Sequence, residues 1–413
     1  MEKRKLILIE AEMKYANGHF LDWLIETTEY FKNKFKIIWF LNKNCNLNNT
    51  YIPSNIEIKK IIISNNFKRS ENKLIYFIEE LFFLLKNIYD IIFFILFFIK
   101  KKKIKFFLQA LVSNYLIIPR YFKSFYFGVI DCELNENDHI FVQSCRRKDI
   151  SCVFFFCSIE NFFPKIHLRV IYPPKKKFKS FFFYLSKIEK FIKEKKIFLY
   201  TDHEYTHNLI SEEISNNEFL HNIIPFYTFS ERNFSNRILT VGFVGQARIS
   251  KGFNLLPELI LELEKKIKLN YLIQFTSTKE TIHYQNQLFT MSKSNPRIKI
   301  VNEYCDYKEY RGVLKQIDIM PILYNSDNLN TGSSGVLLSC ITNEIPFVIP
   351  LNCSFYKKNL IFKSFEEAFD INEFVEKIIL ISKNFDYYLN EAKKLSINCK
   401  NTINASALIK NLS

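Results

Sequence analysis

The chain has 413 residues, more than one ordinary domain, so two domains of roughly 200 residues are the natural division. Hydrophobic residues make up 48%, enough to build proper cores and to exclude a disordered chain. A net charge of +16 suits nucleic acid, anionic lipid or phosphorylated small molecules, but the usage is skewed: 44 Phe and abundant Lys, Asn and Ile against 8 Gly. That skew looks like the product of an AT-rich genome, so part of the lysine excess is codon usage. The nine cysteines are scattered singly with no C-x-x-C pair, and Cys145, Cys152 and Cys157 lack structural-zinc spacing. They read as reduced thiols of a cytosolic protein.

The start, "MEKRKLILIEAEMKYANGH", has basic residues before a short apolar run and reads as a first strand rather than a signal peptide. The pattern from Gly18 predicts a helix with Phe20, Leu21, Leu24, Ile25 and Thr28 on one face. "KFKIIWFLN" and "NIEIKKIIIS" follow as strands, and this opening is that of a doubly wound α/β sheet. Next comes an apolar region, 74–106. Leu81 to Ile99 is about the minimum for a bilayer span, but Lys86, Asn87 and Asp90 interrupt it. It suits a buried helix, or an interfacial helix whose Lys100, Lys101, Lys102 and Lys103 meet lipid phosphates; a true span is the third reading.

"DHIFVQS", "CVFFFC" and "KKIFLYTD" are predicted as further strands. A linker near 222–238 then leads to strand "ILTVGFVG", loop "QARISKG", helix "FNLLPELILELEKKI" and strand "YLIQFTS". Strand "RIKIV", helix "DYKEYRGVLKQ", strand "IDIMPILY", loop "NSDNLNTGSSG", helix "VLLSCITN" and strand "PFVIP" continue the pattern. The expected domains are 1–225, 226–385 and a helical tail, 386–413.

Five of the eight glycines, Gly242, Gly245, Gly252, Gly332 and Gly335, fall in two short stretches of the second domain. Glycine is needed where the backbone takes positive φ or lies close against a ligand. Both stretches join the carboxyl end of a strand to a helix, where open α/β sheets bind ligands. The first adds Arg248 and Lys251 at a helix mouth; the second adds the hydroxyls of Thr331, Ser333 and Ser334. Two cations and a hydroxyl-rich loop suit a diphosphate. The plain alternative is two ordinary strand–helix turns with solvated side chains.

"VGFVGQARISKGFNLL", followed later by a polar Gly-bearing loop, a short helix and "IPFVIP", resembles the donor-binding domain of family-four-like glycosyltransferases of the two-Rossmann B-type fold (GT-B). The resemblance implies an α/β protein with two Rossmann-like domains facing across a cleft, the first taking the acceptor and the second the nucleotide sugar. It implies that Arg248 and Lys251, with Gly245 and Gly252, hold the donor diphosphate, and that Thr331, Gly332, Ser333, Ser334 and Gly335 lie against its phosphates and sugar. Retaining members carry two glutamates, the second opening "E-A-x-x-x-G-x-P". Here Thr331 and Ser339 stand in their places while Pro346 is kept. Either this branch uses other groups in place of the glutamates, or it is an inverting or weakened enzyme.

"HEYTH", His203 to His207, matches the zinc-peptidase pattern H-E-x-x-H. It reads as the first turn of a helix capped by Thr201 or Asp202, and neither Glu218 nor His221 stands in a familiar third-ligand position. It is taken as coincidence, with a zinc hydrolase as the minor alternative and no metal expected.

The expected function is transfer of a sugar from a nucleotide diphosphate to a glycan or lipid-linked acceptor, in cell-envelope or surface glycan synthesis. No cofactor beyond the nucleotide-sugar substrate and no nucleic-acid partner is expected. An inverting route needs a base; His19, beside the acceptor loop at Gly18, is the positional candidate, with Asp22 to orient it. The expected location is cytoplasmic, peripheral on the membrane if the lysine run meets anionic lipid. The alternative class is a catalytically weakened protein of the same fold that binds membrane or another polyanion.

Overall fold

The computed structural model describes residues 3–11, 13, 19–47, 51–62, 92–93, 95–97, 99–101, 118–171, 179–201, 204–214, 220–221, 238–303, 305–324, 334–351, 360–402 and 406–412. The chain divides into two compact units, 1–202 with 206–221 and 411–413, and 203–205 with 222–410. Most of the apolar region 74–106 and the expected boundary at 225 lie outside the described residues.

In the first unit the strands are β1 (Lys5–Glu10), β2 (Lys36–Asn42), β3 (Glu57–Ile62), β4 (His139–Val142), β5 (Lys165–Val170), β6 (Ile197–Thr201) and β7 (Leu220–His221). All pair in parallel, in the order β3-β2-β1-β4-β5-β6-β7. The sequence explains the order. β1 and β2 are continuous apolar runs, as strands covered on both faces must be, whereas β3 carries Glu57, Lys59 and Lys60 and sits at an edge. Helix α1 (His19–Phe31) buries Leu21, Leu24, Ile25 and Thr28 of the face its spacing predicts and leaves Phe20 half-buried.

Three more helices are α2 (Ile118–Ile130), α3 (Arg147–Ile159) and α4 (Lys179–Lys193). The stretch "CVFFFC", expected as a strand, lies inside α3. Its unbroken apolar run has another cause: Phe155 meets Phe122 of α2, Phe156 meets Phe125, and Phe154 meets Tyr184 of α4, all within about 6 Å. A helix packed between two others is apolar on most of its circumference. Asp149 starts it by accepting the Arg146 backbone N–H at 2.7 Å. β5, which the sequence reading did not single out, lies beyond it. Helix α5 (Glu204–Ser211) follows β6.

The second unit has β8 (Thr240–Gln246), α6 (Leu256–Glu264), β9 (Asn270–Thr276), α7 (Ile282–Ser294), β10 (Ile298–Val301), α8 (Tyr307–Leu314), β11 (Met320–Pro321), α9 (Gly335–Thr342), β12 (Phe347–Pro350) and β13 (Phe365–Ala368). Helices α10 (Ile371–Lys383), α11 (Phe385–Thr402) and α12 (Ser406–Leu412) end the chain. Two three-stranded parallel sheets, β10-β9-β8 and β11-β12-β13, are joined by a bridge between Val241 and Ile319, with Gly242 N–H donating to Ile319 O at 2.9 Å. The combined order, third-second-first-fourth-fifth-sixth, is that of a dinucleotide-binding fold, and its switch point lies between β8 and β11. "IDIMPILY" lies in the sheet as expected: Asp318 and Ile319 donate to Thr240 O of β8, Met320 to Pro346 O and Ile322 to Val348 O, although only Met320 and Pro321 form the regular ladder. Both units are doubly wound, as expected.

Candidate functional site

The site is the carboxyl end of β8 and β11. β8 runs into two short 3-10 turns, Ile249–Lys251 and Phe253–Leu255, before α6 begins. Between the turns Gly252 takes φ +70°, and a Cβ there would stand 2.0 Å from the backbone oxygen of Leu323, just past β11. Only glycine lets the loop press against the neighbouring strand in this way. At Gly245 the backbone is also left-handed, with φ +121°, and the Lys251 ammonium stands 3.7 Å from where a Cβ would be.

The loop is held from the side by the residues after β9. Thr281 donates its hydroxyl to the Ala247 carbonyl at 2.7 Å, and Thr278 donates to the same oxygen. The Ala247 N–H donates to Thr276 O at 3.0 Å. Gln274 accepts the Gly245 N–H at 3.2 Å, and the exposed Glu280 carboxylate accepts that of Ile249 at 3.2 Å. The N–H groups of Lys251, Gly252 and Phe253 all donate within the turns. Any affinity of this loop for anions would therefore come from its cations rather than from a backbone nest.

Arg248 is exposed. Lys251 is not: its side chain is half-buried, with the ammonium 5.5 Å from the Tyr324 ring centroid. Burial, and then the neighbouring Arg248 charge, lower its pKa to about 8. Tyr324 continues the link. Burial holds its phenol well above the ordinary range, and the Ser334 side chain beside its hydroxyl draws it partly back. Ser334 caps α9, its Oγ accepting the Leu337 N–H at 3.2 Å. One chain of contacts, Lys251 to Tyr324 to Ser334, therefore connects the two glycine-bearing stretches that the sequence sets far apart. Gly335 opens α9 beside them; Thr331, Gly332 and Ser333 lie outside the described residues.

Tyr324, Gln274 and the Thr278–Thr281 clasp were missed in the sequence. The only available signal was an aromatic hydroxyl closing the "IDIMPILY" run immediately before a glycine-bearing loop.

The departure from the resemblance holds in space. Ser339 is buried within α9, and its carbonyl accepts from the Asn343 side chain at 2.8 Å. No carboxylate stands at this position. Glu344, where "E-A-x-x-x-G-x-P" has its glycine, adopts φ +55°.

In the first unit, His19 is the first residue of α1 and Asp22 is half-buried in its first turn, while Gly18 lies outside the described residues. The corresponding switch point, between β1 and β4, holds groups the sequence did not flag. Glu10, fully buried at the end of β1, accepts from the Ser144 hydroxyl; the Arg169 guanidinium lies 3.8 Å from the Trp23 ring centroid; and Gln143 donates to Thr27 at 2.9 Å.

Of "HEYTH", His203 lies outside the described residues, and Glu204 to His207 open α5. Among the described residues no group of three or more His, Cys, Asp or Glu is placed to hold a metal ion.

No protein-family model matches the sequence, and no curated protein matches it either. Solved structures do match along the whole chain. A glycosyltransferase from Rickettsia africae aligns at TM-score 0.59 and 10% identity, covering 100% of this chain and 97% of its own. Anabaena HepE in complex with UDP aligns at TM-score 0.60 and 9% identity, covering 99% and 98%. An E. coli trehalose-6-phosphate protein bound with UDP-2-fluoro glucose aligns at TM-score 0.56 and 10% identity, covering 99% and 98%. At such identities the likeness shows the fold, which is that of GT-B glycosyltransferases.

Proposed function

We propose that the chain is a glycosyltransferase that binds a nucleoside-diphosphate sugar at the β8–β11 switch point and transfers the sugar to an acceptor hydroxyl. The observation that carries this reading is the chain of contacts that joins Lys251, with Arg248 beside it, to the capped start of α9 through Tyr324. As the bond between sugar and diphosphate breaks, negative charge grows on the leaving phosphate. Two cations on a pre-set loop and the positive end of α9 oppose that charge without having to reorganise. Lys251 is lightly solvated before the donor arrives, so a phosphate replaces little water around it.

The neighbouring structures in complex with UDP and with UDP-2-fluoro glucose make uridine nucleotides the first donors to try. The acceptor is proposed to be a glycan or lipid-linked hydroxyl of the cell envelope, received by the first unit. With serine at position 339, we favour an inverting route, with His19 as the base and Asp22 as its orienting partner.

Thermal shift against UDP, GDP and CDP, each paired with its nucleoside, tests the donor site. Stabilisation by one diphosphate at micromolar concentration, and not by its nucleoside, is expected. No response to any of them removes the reading. Binding without turnover on any donor would favour the weakened relative, which the buried Ser339 also suits.

A further inference from the structure

We infer that the outer face formed by Ile92, Leu96 and Ile99, together with its lysine rim, is a docking surface for an anionic phospholipid bilayer. Ile92, Leu96 and Ile99 recur at helical spacing on one stripe and are 47%, 59% and 48% exposed. The inner face is occupied. Phe93 and Phe97 stack on each other at 5.9 Å, Phe93 meets Phe127 of α2 at 5.7 Å, and Phe97 meets Tyr126 at 4.9 Å. The stripe is therefore apolar surface left over after the helix has packed. Phe127, which meets Phe93, is itself 39% exposed, and Phe162 is 74% exposed just beyond Glu160.

The charges choose the occupant. Lys100 is exposed at the end of the stripe, while Lys123 is half-buried with its ammonium 4.5 Å from the Phe93 ring centroid. Lys101 is committed to Glu160 at 3.0 Å, and Lys102 and Lys103 lie outside the described residues, so the lysine run alone does not make the surface. An apolar stripe with a cationic rim is the pattern of a helix lying in the headgroup plane, with its apolar side chains among the acyl chains and ammonium groups on phosphates. A second copy of this chain fits worse, because pairing would oppose two lysine rims on molecules of net charge +16. Among the described residues no helix is long and apolar enough to cross a membrane. The surface is independent of the donor site.

Flotation of the full chain with vesicles of phosphatidylcholine alone, or mixed with phosphatidylglycerol, at low and at high salt is the test. Wild type is expected to float with the anionic vesicles and to keep part of its binding at high salt, because only the lysine contribution is screened. The double variant Leu96→Glu, Ile99→Glu should lower partitioning roughly 10-fold or more at both salts. Lys100→Gln with Lys123→Gln should weaken it chiefly at low salt. The substituted apolar side chains are exposed, so unchanged tryptophan fluorescence and circular dichroism certify the fold. Wild-type binding that the glutamate pair leaves intact overturns the inference, as does absence of binding to anionic vesicles. A wild-type dimer that the glutamate pair dissociates would assign the face to a second copy instead.

Discussion

The Lys251 ammonium lies over the Tyr324 ring, 5.5 Å from its centroid, in a place that takes its pKa down to about 8. A bound diphosphate would draw the proton back, so binding above that pH requires proton uptake. The sign follows. Affinity for UDP should be level below about pH 8 and fall by up to about tenfold per unit above it. Calorimetric titration from pH 7 to 9, with uridine as the reference for the base, measures this. Lys251→Arg should flatten the profile, because guanidinium does not titrate there. A level wild-type profile would take the ammonium out of the site. Tyr324→Phe keeps the ring and removes the link to Ser334, so it should weaken binding while leaving the shape of the profile.

Arg248→Ala and Lys251→Ala should each weaken nucleoside-diphosphate binding by roughly 10- to 150-fold, the worth of a hydrogen bond to a charged partner. Binding of the bare nucleoside should change little. Arg248 is exposed and its loss should leave stability alone. Lys251 packs over Tyr324, so its removal also opens space, and melting must be recorded beside affinity. Equal losses for nucleoside and diphosphate would mean a damaged loop rather than a lost contact.

Much of this site was legible because glycine is so scarce in the chain. Gly245 and Gly252 survive a composition that drives glycine out, and both take left-handed φ. What stayed hidden was long-range contact. Nothing local in "IDIMPILY" says that its tyrosine receives the lysine of a loop far earlier in the chain, or that Leu323 presses on Gly252. The misread of "CVFFFC" has a related cause. A short apolar run has no period of its own, and its helical state is fixed by neighbours on α2 and α4 that the sequence places elsewhere.

Gly252→Ala should be costly. Its φ of +70° is unfavourable for alanine by about 1–2 kcal/mol, and the new methyl would meet the Leu323 backbone oxygen, which cannot rotate away. We expect a loss of roughly 2–4 kcal/mol together with loss of diphosphate binding. A variant with wild-type stability and affinity would show that the loop does not need to touch β11.

Two substitutions should stabilise the second unit. Gly312 lies inside α8, exposed, and a methyl added there would meet nothing within 4 Å, so Gly312→Ala should gain about 0.5–1 kcal/mol. Glu344 holds φ +55° in the turn after α9, and Glu344→Gly relieves that strain at some cost in chain entropy, for a net gain of up to about 1 kcal/mol. Scanning calorimetry should show both as small upward shifts in melting. A fall for Glu344→Gly would mean that the contacts of its buried carboxylate outweigh its backbone.

The first unit should be acid-labile, for a reason visible in its sheet. His139 Nδ1 and His167 Nε2 are 3.0 Å apart, His167 Nδ1 lies 2.9 Å from the Tyr200 hydroxyl, and Asn411 donates its amide to that hydroxyl at 3.0 Å. Burial holds the Tyr200 phenol protonated, and with that phenol donating to His167 Nδ1 and His167 Nε2 donating to His139, each ring carries one proton. This order has no room for a further proton. Burial, with Lys165 and Arg4, lowers the pKa of His139 to about 3, and burial, with His139 and Lys165, takes His167 well below its ordinary value. Unfolded histidines titrate near 6.5. Between there and about 3 the unfolded chain therefore binds more protons, and stability falls as pH falls, by about 1.4 kcal/mol per unit for each histidine. From pH 7.5 to 5.0 the two together should cost on the order of 4 kcal/mol. Both tryptophans, Trp23 and Trp39, lie in the first unit, so their fluorescence during urea unfolding reads this unit alone. His167→Gln should remove about half of the pH dependence. A wild-type urea midpoint equal at the two pH values would mean that the pair takes up its protons without unfolding.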